Sequence, residues 1–400
     1  MQKIYVVEAK RSAIGSFNGA LANVSCDELG STVAKEVIRN VDPDLIDEVI
    51  IGNVLSAGLG QNIARQIQIK AGIPNEKCAY SVNMVCGSGM KALMNGVQAI
   101  MSNSAEMVLV GGIENMSRAP YILPSDTRTG KKMGDFKVVD SMIYDALTDA
   151  FSKEHMGVTA EKIAEMYNVS REEQDTFAYE SQKRAIKSIE SGRFKDEIVP
   201  IEVKQKRCVE VFETDEYPNR KTDMERLSKL KPAFKKDGTV TAGNASGIND
   251  GCALILLASE ECVKKNGLKP LAEIVSVSQK GIDPSIMGMG PVKAVIDVIE
   301  KAEIKFDEID LFELNEAFAV QSLAVMKEIS QKYNVDIENM KARTNVNGGA
   351  IALGHPVGAS GARILVSLLY ELRRSGKKYG VASLCIGGGM GTAVLMKNCE

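Results

Sequence analysis

Ser81-Val82-Asn83-Met84-Val85-Cys86-Gly87-Ser88-Gly89-Met90-Lys91-Ala92-Leu93-Met94 decides how the rest of the chain is read. An apolar, β-branched run over 81–85 predicts a strand. From 91 to 101, Leu93, Met94, Val97 and Ile100 recur at helical spacing and predict a helix. Between them, Gly87 and Gly89 permit a sharp bend and close backbone approach. Cys86 therefore stands at a strand–tight turn–helix corner. A thiol at a helix N-terminus feels the positive end of the dipole, which is expected to lower its pKa. Free N–H groups there can also receive an oxyanion. The competing reading is a small Cys packed under a helix. The Gly-x-Gly after it favours chemistry, because a packing Cys requires no such turn.

The same alternation extends on both sides. Residues 49–52 and 107–112 read as strands and 62–71 as a helix, an order that argues a parallel α/β sheet. From 119 to 243 the character changes. Charge density rises, 172–190 reads as a charged surface helix, and 204–237 is rich in Lys and Arg with little period. This region is expected to be an inserted loop domain capping the core. After about 267 the first pattern returns, with strands over 308–314, 381–385 and 391–396 and helices over 316–329 and 360–372. A Gly-rich turn follows 344–346. Asp47-Glu48-Val49-Ile50-Ile51-Gly52-Asn53 and Glu308-Ile309-Asp310-Leu311-Phe312-Glu313-Leu314-Asn315 occupy corresponding places. The expected architecture is α/β, with two duplicated halves, 1–265 and 266–400, whose strand ends meet at the site.

The bulk composition bounds the function. The 400 residues are 44% hydrophobic and 25% charged, ample for a large core. A net charge of −3 argues against nucleic-acid or membrane-surface partners, though not against a local basic pocket. No apolar run approaches membrane-spanning length, and the N-terminus does not read as a signal peptide, so a cytoplasmic location is expected. Eight scattered Cys with no C-x-x-C pair, beside two His, make neither a disulfide framework nor a metal site the expectation.

Three further residues carry candidate chemistry. His355 lies in a Gly-rich turn, with five glycines between 345 and 361 and Pro356 directly after it. Few structural needs place a His there, so it reads as a base or electrophile. Cys385 ends a strand before Gly387-Gly388-Gly389, a run that offers backbone N–H donors. Asn315 follows a strand; it reads either as the N-cap of the next helix or as an amide that holds a catalytic water.

The blocks Val85-Cys86-Gly87-Ser88-Gly89, Asn115-Met116-Ser117, His155-Met156-Gly157, Ala242-Gly243-Asn244-Ala245-Ser246-Gly247, Asn315-Glu316-Ala317-Phe318-Ala319, Gly354-His355-Pro356-Val357-Gly358 and Cys385-Ile386-Gly387-Gly388-Gly389 together resemble the thiolases, the short-chain biosynthetic type most closely. The order holds over essentially the whole chain. The resemblance implies a layered αβαβα fold and a reversible Claisen condensation of two acetyl-CoA molecules to acetoacetyl-CoA and coenzyme A. On it, Cys86 is the acetylated nucleophile and His355 takes its proton. Cys385 is the acid/base at the second substrate. Asn315 holds a water in one oxyanion site with His355, and the N–H groups of Cys86 and Gly387 form the other. Ser246, His155 and Met156 match positions along the pantetheine arm. Phe234 and Phe318 pack the arm or the adenine, and Met287 narrows the acyl pocket. Coenzyme A and its thioesters are substrates, no tightly bound cofactor is implied, and the assembly implied is a homotetramer of paired dimers. Two rivals remain: a degradative thiolase of broader chain length, and a non-catalytic acyl-CoA-binding scaffold.

Overall fold

The structure, a computed structural model, describes residues 2–205 and 208–399. Lys206 and Arg207, part of the Lys/Arg-rich stretch, lie outside the described residues. The first half runs β1 (Ile4–Ser12), α1 (Cys26–Val37), β2 (Glu48–Gly52), α2 (Ile63–Ala71), β3 (Cys78–Val82), α3 (Ser88–Met101) and β4 (Met107–Asn115). An insertion carrying α4 (Met156–Tyr167) and α5 (Arg171–Glu190) precedes β5 (Asn249–Ser259). The second half runs β6 (Ala272–Gly281), α6 (Gly290–Lys301), β7 (Leu311–Leu314), α7 (Ala319–Tyr333), α8 (Val357–Ser375), β8 (Tyr379–Ile386) and β9 (Met390–Asn398).

The two halves repeat one topology. In the first, β1-β5-β4-β2-β3 pair in that order: antiparallel, antiparallel, parallel, parallel. In the second, β6-β9-β8-β7 repeat the same senses, and a parallel bridge from Phe312 to Thr344 stands where β3 would be. Among the described residues the half-sheets join edge to edge through Tyr5↔Glu273 and Val6↔Ala272, so one continuous sheet results.

Packing gives five layers. Leu29, Val33 and Ile67 of α1 and α2 cover one face of the first half-sheet against Ile51, Leu109 and Leu254. Val295, Val298 and Val325 of α6 and α7 cover the far face of the second against Phe312, Val381 and Leu395. Between the half-sheets lie α3 and α8, whose Leu93, Val97, Ile364 and Leu368 meet Val110, Ile255, Leu384 and Val394. Strands covered on both faces need apolar side chains on both, and β4 and β5 are buried along their whole length.

Several boundaries differ from the sequence reading. The strand expected over 81–85 ends at Val82, because Val85 turns to φ +47 and its N–H donates to Asn83 Oδ1 at 3.0 Å. A β-branched residue rarely takes that conformation, so the corner is strained. Helix α3 begins at Ser88, earlier than expected, and α8 at Val357, directly after Pro356. Asn315 does not cap a helix; α7 opens at Ala319. The stretch 204–237 is more regular than its composition suggests: Val209–Phe212 pairs antiparallel with Ile201–Lys204, and Met224–Ser228 forms a short helix.

Candidate active site

The corner that presents Cys86 is locked by its own residues. Ser88 Oγ donates to the Val85 carbonyl at 2.7 Å and accepts the Met84 N–H at 2.9 Å. Gly87 N–H donates to the Met84 carbonyl at 3.0 Å. Helix α3 then crosses α8 at their first turns. A Cβ on Gly89 would lie 2.9 Å from Ala362 N, and one on Gly361 would lie 2.5 Å from Met90 N. Only glycine permits that approach, and it brings the turn carrying His355 to the Cys86 corner.

His355 is held at both ends. Its N–H donates to Asn249 Oδ1 at 2.9 Å, and its Nδ1 meets Ser360 Oγ. Ser360 has one hydroxyl hydrogen, and Pro356 O, which only accepts, lies 2.9 Å away. The hydroxyl donates there and accepts from Nδ1–H, which assigns the tautomer. Nε2 then carries the lone pair, and it is buried without a protein partner among the described residues.

Cys385 is the last residue but one of β8, which Ile386 ends, and a glycine turn follows in which Gly388 and Gly389 both take φ +84. That turn brings the Gly387 N–H near the Cys86 sulfur, where it and the N–H of Cys86 itself favour the thiolate.

The electrostatics overturn one expectation. Burial pushes the Cys86 thiol up to about 11, outweighing the two N–H groups that favour the thiolate. Burial also drives Cys385 upward, with the neighbouring Cys86 adding to it. His355 is pulled down to about 3 by burial, helped by the Arg363 charge. The lowered pKa expected from the helix terminus is therefore not found at Cys86, because desolvation dominates.

Cys86, His355, Cys385 and Gly387 share one cavity of about 480 Å³. Ser246, His155, Met156, Phe234, Phe318 and Met287 line it too. The His155 ring stacks on Phe234 with centroids 4.7 Å apart, and Phe234 meets Phe318 edge-on at 6.2 Å. Asn315 lies behind the lining, fully buried, with neither amide atom partnered among the described residues. Phe17, Met116, Leu147, Tyr217 and Val357 also line the cavity, and none of them is a candidate on sequence grounds. Met116 and Val357 belong to the thiolase-like blocks Asn115-Met116-Ser117 and Gly354-His355-Pro356-Val357-Gly358; Phe17 and Tyr217 carry no local signal. A nucleophilic sulfur, a base with a free lone pair, a second thiol and two converging N–H donors suit acyl transfer.

Residues 4–261 match the thiolase N-terminal domain and residues 268–398 the thiolase C-terminal domain. The chain belongs to the thiolase family. An acetyl-CoA acetyltransferase of Pseudomonas aeruginosa is 53% identical to this thiolase over 399 residues, covering 99% of each chain. The solved structure of the acetyl-CoA acetyltransferase from Syntrophomonas wolfei superposes on it with a TM-score of 0.96 at 41% identity, over 100% of both chains. Human mitochondrial 3-ketoacyl-CoA thiolase in complex with CoA superposes with a TM-score of 0.93 at 45% identity, over 100% of this chain and 98% of the other.

Proposed function

We propose that this thiolase is an acetyl-CoA C-acetyltransferase, joining two acetyl-CoA molecules into acetoacetyl-CoA and coenzyme A through acetyl-Cys86. The observation that carries the reading is the convergence of Cys86, His355, Cys385 and the Gly387 N–H on one cavity. In the first half-reaction the Cys86 sulfur attacks the thioester carbonyl and its proton passes to His355 Nε2. The oxyanion forms against the N–H groups of Cys86 and Gly387. The carbon–sulfur bond to coenzyme A breaks, and the leaving thiolate takes the Cys385 proton. In the second, the Cys385 thiolate removes a methyl proton from a new acetyl-CoA. Burial makes Cys385 a reluctant acid and therefore, once deprotonated, a strong base. The enolate oxygen is held by protonated His355 Nε2 and a water on Asn315. The enolate carbon attacks acetyl-Cys86, and the departing Cys86 sulfur recovers the His355 proton.

The coenzyme A arm runs past Ser246, His155, Met156, Phe234 and Phe318, and Met287 limits the acyl end. A neighbouring cleft lined by Arg220, Lys221 and Arg226 shares Ser16, Tyr217 and Ala242 with the cavity and suits the phosphates. The domains of this reading are the halves 1–265 and 266–400, with 119–243 as the inserted cap. A homotetramer is supported by apolar side chains exposed on that cap, such as Tyr121, Leu123, Met133 and Phe151. Among the described residues no helix is long and apolar enough to cross a membrane, and a cytoplasmic enzyme fits that.

The likeness to a 3-ketoacyl-CoA thiolase favours one rival, a broader chain-length range. Thiolysis rates across 3-ketoacyl-CoA lengths test it. The expected profile peaks at acetoacetyl-CoA with parallel double-reciprocal lines; comparable rates on long chains would sink the short-chain reading.

A further inference from the structure

Glu114, at the end of β4, is fully buried and has no part in the steps above. Its Oε1 accepts from Asn53 Nδ2 at 2.9 Å and from the Leu55 N–H at 3.1 Å. Its Oε2 accepts from the Val54 and Gly358 N–H groups, each at 3.0 Å. Two donors on each oxygen are satisfied only by the ionised carboxylate, since a proton on either oxygen would face an N–H. None of these partners is a basic side chain. Burial nevertheless raises the carboxyl to about 7, with Asp250 on β5 adding like charge. Cys26 on α1 and the Cys86 thiol both feel the Glu114 charge. The fold thus keeps a carboxylate where desolvation opposes it, a pattern that marks functional positions.

What the four donors join is specific. The loop Asn53 to Leu55 leaves β2 beside the Cys86 corner: a Cβ on Gly52 would lie 2.4 Å from the Ser88 carbonyl carbon. Val54 and Leu55 pack with Met116, Val357 and Cys86. Gly358 lies in the first turn of α8, three residues after His355. One carboxylate therefore ties the floor under the nucleophile to the helix behind the base.

We propose that Glu114 is a positioning residue for acyl transfer, its carboxylate locking the Cys86 corner to the first turn of α8 and so fixing Cys86 against His355 Nε2. The proposal rests on the acyl-transfer reading of Cys86. Single-turnover acetylation of Cys86 at saturating acetyl-CoA, quenched and followed by mass spectrometry between about pH 6 and about pH 9, tests it. The wild-type rate falls on the acid side as Glu114 takes a proton. Glu114→Gln lacks that limb and acetylates at least roughly tenfold more slowly, while its affinity for coenzyme A changes less than about twofold. Asn53→Ala removes one donor to the carboxylate, so Glu114 protonates more readily and the limb moves to higher pH. The contacts of Asp250 with Ser117 are untouched by that change, which separates the two carboxyls. A wild-type rate and pH profile in Glu114→Gln, or an unmoved limb in Asn53→Ala, would overturn the proposal. A wild type that never acetylates would instead overturn the acyl-transfer reading beneath it.

Discussion

At Cys86 two effects oppose each other. The N–H groups of Cys86 and Gly387 favour a thiolate, and burial disfavours it more, leaving the thiol at about 11 beside an imidazole at about 3. Both shifts favour a neutral thiol and a neutral imidazole at rest, and on the proposed mechanism the proton moves as the sulfur attacks. Alkylation of Cys86 by iodoacetamide should therefore keep rising with pH beyond about pH 9, because only the thiolate reacts. A rate that levels off by neutral pH would refute the neutral pair. Cys385→Ala should still allow acetylation of Cys86 but lose condensation by roughly 10²–10⁴-fold, read from radiolabelled acetyl incorporation beside product formation. Cys86, His355 and Cys385 stand out in the sequence because glycines mark each as a turn that packing alone does not demand, and the fold brings all three to one cavity. Ser360 and Glu114 do not stand out, since their partners are set by helix placement and by segments distant in sequence.

Among the elements, the crossing of α3 and α8 aligns the site, and the sequence showed both helices without their meeting point. Both helices start earlier than their periodicity predicts, because Gly87-Ser88-Gly89 and Pro356-Val357-Gly358 look like loop while continuing into helix. The strand before Cys86 ends sooner than its apolar run predicts, because Met84 and Val85 serve the corner and not the sheet. Gly361→Ala places a methyl against backbone at Met90 and should destabilise the fold by about 1–3 kcal/mol, visible as a lower urea midpoint. Ser360→Ala separates stability from chemistry. Losing the acceptor for His355 Nδ1 frees the ring, so kcat should fall roughly 10²-fold with KM little changed. An unchanged kcat would show that the ring is oriented by other contacts.

Across the whole molecule, the duplication was visible in the repeated order of elements, and pairing senses match strand by strand. The joining of the half-sheets into one was invisible, because a short edge contact at Tyr5 and Val6 leaves no pattern. The anchoring of the insertion was also hidden. Arg11 on β1 is fully buried, donates from Nη1 and Nη2 to Asp215 at 2.8 and 2.9 Å, and reaches Glu197 from Nε at 2.6 Å. Both carboxylates belong to the insertion. Arg11→Ala would leave two buried carboxylates uncompensated and should cost about 3–5 kcal/mol in equilibrium unfolding. A loss under about 1 kcal/mol would mean that the cap is held by its apolar contacts instead. On the proposed mechanism, the chemistry of the whole chain turns on one covalent species. Incubation with acetyl-CoA alone, followed by peptide mapping, should find a single acetyl group on the peptide bearing Cys86, discharged on adding coenzyme A and absent from Cys86→Ser. An unmodified Cys86 in protein that still binds coenzyme A would contradict it.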